Sequence, residues 1–112
     1  MGKWKKSPQA LIDQFYEVME AFELIQMRKM FGYPCSFLNG HMLTGLHEEN
    51  WVLRLPEAER DALSKKGGLP FEPMGRRMKE YLKLPQEILQ NTEELKTWIE
   101  KSIVFVSTLD PK

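Results

Sequence analysis

The chain has 112 residues, 42% of them apolar and 29% charged, and its sixteen basic side chains equal its sixteen acidic ones. That length suits one domain, residues 1–112, with a core that needs no disulfide or metal staple. The charges also cancel within each half, six against six through Leu55 and ten against ten from Pro56, so no global field draws the chain onto nucleic acid or an anionic membrane.

The opening MGKWKKSP carries charge with no apolar run behind it and is not expected to be a signal peptide. Ser7-Pro8 predicts the start of a first helix, with serine as N-cap and proline at the first helical position. Leu11, Ile12, Phe15, Val18, Met19 and Phe22 then recur at helical spacing. Leu24 to Met30 reads as a first strand, with a continuation of the helix as the alternative, and Phe31-Gly32 as a bend or bulge before the next.

Asn39-Gly40 is the strongest local signal. A two-residue hairpin needs positive φ at both central positions, and this pair tolerates it best. It predicts strands Tyr33–Leu38 and His41–Leu46, with Leu38 opposite His41, Phe37 opposite Met42 and Cys35 opposite Thr44. Uninterrupted alternation gives a core face of Tyr33, Cys35, Phe37, Met42, Thr44 and Leu46. It leaves Pro34, Ser36, Leu38, His41, Leu43, Gly45 and His47 on the other face. The polar break at residues 47–50 and the strand Trp51–Leu55 follow. Pairing Leu46 with Trp51 and Thr44 with Leu53 puts Trp51, Leu53 and Leu55 on the core face and Arg54 on the opposite one.

Pro56-Glu57 opens a middle helix, acidic early and basic late, which Gly67-Gly68 ends. LPFEPMG is loop, Met78 to Leu84 the last strand, and Pro85 to Gln90 a short helix. Asn91 followed by Glu94 resembles a capping box ahead of a final helix striped by Leu95, Trp98, Ile99, Ser102, Ile103 and Val106. Residues 108–112 are expected to fray. The elements describe an α+β domain in the order α-β-β-β-β-α-β-α-α, with about five strands in a central antiparallel sheet. Phe15, Met19, Phe22, Phe37, Met42, Leu53, Leu82, Trp98 and Ile99 are its expected core.

Chemistry-bearing groups are sparse. Cys35 is the only cysteine, which excludes an intrachain disulfide and fits a reducing cytoplasm. The register places it on the face opposite His41 and His47, so no metal site is expected. No carboxylate pair, glycine-rich phosphate loop or membrane span stands out. Hence no catalytic residue and no cofactor is assigned. Two surfaces invite a partner. Arg76, Arg77 and Lys79, with Tyr81 and, if it converges on them in space, Arg54, are candidates for a basic corner suited to a phosphate, a carboxylate or a protein, the alternative being a solvated edge strand. Leu38, His41, Leu43 and Val52 keep the second sheet face apolar. Either the middle helix, the LPFEPMG loop or another chain must cover it. The helix is too poor in apolar residues to do so well, and a protein partner is favoured, a second copy of the domain among the candidates.

The string RKMFGYPCSFLNGHMLTGLHEENWVLRLPEAER, then FEPMGRRMKEYLKLP, then a closing helix with a tryptophan, resembles the TfoX N-terminal-domain family in its single-domain form. The resemblance implies an antiparallel sheet flanked by helices and a regulatory or binding role rather than catalysis. Its motif positions fall here on Lys29, Met30, Phe31, Gly32, Pro34, Cys35, Phe37, Gly40, Arg54, Gly75, Arg76, Met78, Lys79, Tyr81 and Pro85. Where the family often has proline this chain has Arg77, which makes the corner more basic. The expected role is a non-enzymatic module acting in transcriptional regulation through a protein. The alternative is a small-anion pocket at Arg54, Arg76, Lys79 and Tyr81. Direct nucleic-acid contact is expected to be weak or indirect.

Overall fold

A computed structural model describes residues 6–111. Met1–Lys5, which carry most of the start read as no leader, and Lys112 lie outside the described residues. The elements are α1 Gln9–Met19, β1 Gln26–Met30, β2 Tyr33–Leu38, β3 His41–His47, β4 Asn50–Arg54, α2 Glu57–Lys65, β5 Leu69–Pro70, β6 Tyr81–Lys83, α3 Gln86–Leu89 and α4 Thr92–Ser107. The six strands form one sheet in the order β1-β2-β3-β4-β6-β5, and every neighbouring pair is antiparallel. The architecture is therefore the expected α+β arrangement, with two-residue β5 added. The last strand is shorter than expected, because residues 78–80 remain outside it.

Local chemistry explains most boundaries. Asn39 and Gly40 stand at φ 53 and 85, the positive pair that a tight hairpin turn requires. Phe31 and Gly32 repeat it at φ 54 and 84, so this pair is a second hairpin turn rather than a bulge. The amide N–H of Gly68 donates to the Leu63 carbonyl at 2.9 Å and that of Gly67 to Ser64 at 3.1 Å. With Gly67 at φ 108, these bonds form a Schellman close to α2. Asn91 accepts the Glu94 amide at 3.1 Å and caps α4. Ser7 does not cap α1. Its hydroxyl donates instead to the Glu48 carbonyl at 2.6 Å, tying the chain start to the β3–β4 turn.

The decisive departure lies in β3. Phe37 opposes Met42 as expected, but Ser36 opposes Thr44 and Cys35 opposes Gly45, so Leu43 is an extra residue on β3. Alternation is interrupted there. Leu43, Thr44 and Leu46 all serve the helix-covered face with Trp51, Leu53 and Leu55, as the lower half of the reading required. Across the bulge, β2 is inverted: Leu38 enters the helix-side core, and Tyr33, Cys35 and Phe37 take the other face. Phe37 and Met42 are accordingly half-buried on the second face instead of central. Phe22 packs at the margin of the main core, and the other expected core residues are buried.

The helix-side core gathers Phe15 and Met19 of α1, Trp51 and Leu53 of β4, Leu82 of β6, and Leu95, Trp98, Ile99 and Val106 of α4. Trp51 is fully buried and its ring lies 4.9 Å from Phe15. Its indole N–H donates to Thr44 Oγ1 at 2.8 Å, and that hydroxyl donates onward to the Val52 carbonyl at 2.5 Å. Both polar groups are thus satisfied inside the core. Ser36, on the same face, has a fully buried hydroxyl with no hydrogen-bond partner among the described residues.

The second face is not the open apolar surface expected from the sequence. Leu38 and Leu43 lie in the main core, while Val52 is buried in a smaller cluster with Phe71 and Tyr81, flanked by Met42. Phe71 comes from the LPFEPMG loop, which supplies the cover. The Met78 amide closes that loop on the Phe71 carbonyl at 2.9 Å. His41 is half-buried at the end of the sheet, beside the Asn39-Gly40 turn. Cys35 and His47 share this second face, contrary to the opposite-face expectation, because the bulge inverts β2 and brings Cys35 onto it while His47 keeps its expected side.

Two measurements follow from the register. A Cβ on Gly45 meets Cys35 Sγ at 2.6 Å, so Gly45→Ala is expected to destabilise by roughly 1–3 kcal/mol, and Cys35→Ala to relieve most of that cost. Chemical denaturation of the single and double variants reads both numbers. Ser36→Ala removes an orphan hydroxyl and is expected to raise stability by about 1 kcal/mol. A loss on the same assay contradicts that placement.

Candidate functional site

Arg54 closes β4 opposite Tyr81, the first residue of β6. Its guanidinium meets Glu80 twice, Nε at 2.7 Å and Nη2 at 2.6 Å from the same carboxylate oxygen. The cation lies 5.8 Å from the Tyr81 ring centroid and 5.9 Å from that of Phe105 on α4. Its third nitrogen, Nη1, stands 3.5 Å from His41 Nδ1. His41 Nε2 in turn is 2.6 Å from the Asp110 carbonyl. That carbonyl only accepts, so Nε2 carries the proton and Nδ1 offers its lone pair to the guanidinium. The cluster ties β3, β4, β6 and the end of α4 together, and the Asp110 contact holds part of the stretch expected to fray.

Tyr81 completes the arrangement. Its hydroxyl donates to the Met42 carbonyl at 2.8 Å, next to the β3 bulge. Burial raises its pKa above the usual phenol value, against the lowering effect of Arg54, so it stays a donor. Cys35 is also held neutral. Burial pushes its thiol up to about 11, over the opposing effect of backbone hydrogen bonds from Met30 and Leu46. A thiol so placed is a packing group rather than a nucleophile.

The basic corner divides into two parts. Arg54 and Tyr81 are brought together and engaged within the fold. Arg76, Arg77 and Lys79 are exposed on the loop before β6, and Arg77 pairs with Glu72 at 3.5 Å. Lys79 precedes the strand and so does not share its face with Tyr81 and Lys83. Met74, between them and Phe71, is fully exposed and stands at φ 55.

Two shallow clefts lie elsewhere. One of about 390 Å³ is lined by Lys6, Ser7, Gln9, Ile12, Gly32 and Tyr33. The other, about 240 Å³, runs between His47, Asn50, Phe71, Glu72, Met74 and Lys83. Within its wall the His47 ring lies 5.3 Å from both Tyr33 and Phe71. Among the described residues no three His, Cys, Asp or Glu side chains are grouped to hold a metal ion. No helix among them is long and apolar enough to cross a membrane.

Glu80 and Phe105 as partners of Arg54, and the Asp110 carbonyl as the partner of His41, were not legible. Glu80 alternates with Lys79 and Tyr81 in sequence, so a strand beginning at Met78 turns it toward the core. Only the late start of β6 frees it to reach Arg54. The exposed apolar set at the other end of the sheet, Leu24, Met27, Met30 and Phe31, was also unmarked, because edge position does not show in an apolar pattern.

The Arg54–Glu80 pair is partly solvated, with Glu80 40% exposed. A double-mutant cycle of Arg54→Gln and Glu80→Gln is therefore expected to give a coupling of about 1 kcal/mol in unfolding free energy. No coupling means that the two side chains do not hold each other in solution.

The topology, the tight turns of the β1–β2–β3 run and the Arg54 cluster can be set beside known proteins. A search of curated proteins returned no match. The family model described as the TfoX N-terminal domain matches residues 17–106, the bulk of the chain and every strand of the sheet. This chain therefore belongs to the TfoX N-terminal domain family.

Proposed function

We propose that the domain is a non-enzymatic regulatory module that works by binding a protein, in a cytoplasmic setting and in the control of transcription. Family membership supports the regulatory part. The observation that carries the binding part is the loop of residues 72–79. Met74 stands fully in solvent in a left-handed backbone conformation, beside exposed Arg76 and Lys79. Such a conformation is costly for a non-glycine residue. Here the Arg76 amide donates to the Pro73 carbonyl at 3.0 Å, and the Met78–Phe71 bond closes the loop. An apolar tip followed by two exposed cations suits an acidic protein surface. The zero net charge disfavours duplex nucleic acid as the direct target.

The small-anion alternative loses its central residue. The Arg54 charge is met by Glu80 and its faces by two rings, which leaves too little of the guanidinium for a ligand.

Affinity capture from extract of the native cell tests the reading, with the Arg76→Ala, Lys79→Ala variant as control. One protein retained by the parent and reduced at least tenfold by the variant is the expected result. Identical capture by both, or a retained small anion with no protein, contradicts it.

A further inference from the structure

We propose that the free edge of β1 is a strand-docking site that takes an extended acidic segment of a partner protein as a seventh strand. It shares with the reading above only the idea of a protein partner, and it uses the end of the sheet away from β6 and the basic loop.

The two sheet edges differ. β5 is two residues long and contains Pro70, which has no N–H to offer. β1 is five residues long, has no proline, and is exposed at every position. Its ladder fixes which backbone groups are free. Met30 and Tyr33 close a two-residue hairpin and are a hydrogen-bonded pair. Alternation then makes Arg28–Cys35 and Gln26–Phe37 hydrogen-bonded pairs, and Met27–Ser36 and Lys29–Pro34 non-bonded ones. Pro34, with no N–H, fits its place in that pattern. The N–H and C=O groups of Met27 and Lys29 therefore point outward, spaced to receive another strand.

Side chains define what the edge selects. Leu24 and Phe31 flank β1 and are 80% and 77% exposed, and Met27 and Met30 are each 38% exposed. Phe31 holds this position at φ 54, a conformation that disfavours bulky residues. Among the described residues, Arg28 meets Gln26 at 3.4 Å and the Phe37 ring at 5.3 Å to its centroid. The edge thus asks for carboxylates opposite Arg28 and Lys29 and apolar residues beside Met27 and Met30.

A second copy is a poor occupant. A two-fold axis at Arg28 or Lys29 sets like charges directly opposite each other. An axis at Met27 pairs Gln26 through Arg28 only, because residues 23–25 are not strand. The two cations therefore act as a filter: they repel another copy of this edge and admit an acidic strand.

The probe is a labelled seven-residue peptide centred on Val-Glu-Glu-Val, with its Val-Lys-Lys-Val counterpart as control, read by fluorescence anisotropy. The acidic peptide is expected to bind at least tenfold more tightly than the basic one. Arg28→Glu with Lys29→Glu should reverse that order. Met27→Pro removes an outward N–H and leaves the β2 ladder intact, so it should keep the fold by circular dichroism and weaken binding at least tenfold. Arg76→Ala with Lys79→Ala should leave the affinity unchanged, which separates this edge from the basic loop. In the parent chain the Met27 and Lys29 amides should exchange at least tenfold more slowly once peptide is added, a readout that needs no variant. No binding at millimolar peptide, equal binding of both peptides, unchanged exchange at those amides, or a dimer that Met27→Pro abolishes each overturns the proposal.

Discussion

One extra residue in β3 organises this domain. A regular antiparallel strand sends alternate residues to opposite faces, and a single insertion reverses that order for everything beyond it. Leu43 is the insertion. With it, Leu43 and, across the turn, Leu38 join Leu46 in the helix layer, where Thr44 accepts the Trp51 indole N–H. Removing that acceptor leaves a buried donor unpaired, a loss of roughly 1–3 kcal/mol. The same insertion sets Gly45 against Cys35, where the sulfur leaves no room for a side chain.

The two faces that result are unequal in thickness. The helix side receives α1 and α4 and most of the large fully buried side chains. The other side is closed by side chains rather than by helices: Phe71 on Val52 and Tyr81, and His47 between Tyr33 and Phe71. Arg54 belongs to this thin layer. It extends the layer to the end of the sheet, where Glu80, Phe105 and His41 meet it. Its role is to fasten β4 to β6 and to α4. Beyond its reach, most side chains of the 72–79 loop and all those of β1 are exposed.

Much of this was legible, and the failures have physical causes. Asn39-Gly40 determines its own turn, so the pairs next to it are correct. The β3–β4 register followed from the need to bury Trp51 and Leu53. A bulge carries no residue-type signature in a run such as His41 to His47, where Leu43 fits either face. The inversion of Tyr33, Cys35 and Phe37 was therefore invisible. Phe31-Gly32 was missed as a turn because phenylalanine is a poor residue for positive φ. The exposure of Leu38, Leu43 and Val52 was misjudged for a related reason. The bulge takes Leu38 and Leu43 out of the second face, and Phe71 of the LPFEPMG loop covers Val52 where a partner chain was favoured. The basic corner was recognised by composition, but composition does not distinguish Arg54, held by Glu80, from Arg76 and Lys79 in solvent.

The bulge is tested most directly by cross-strand proton contacts in a two-dimensional NMR spectrum of the folded chain. The account predicts contacts that place Cys35 opposite Gly45 and Ser36 opposite Thr44, alongside Phe37 opposite Met42. Contacts placing Cys35 opposite Thr44 and Pro34 opposite Gly45, the uninterrupted register, would contradict it.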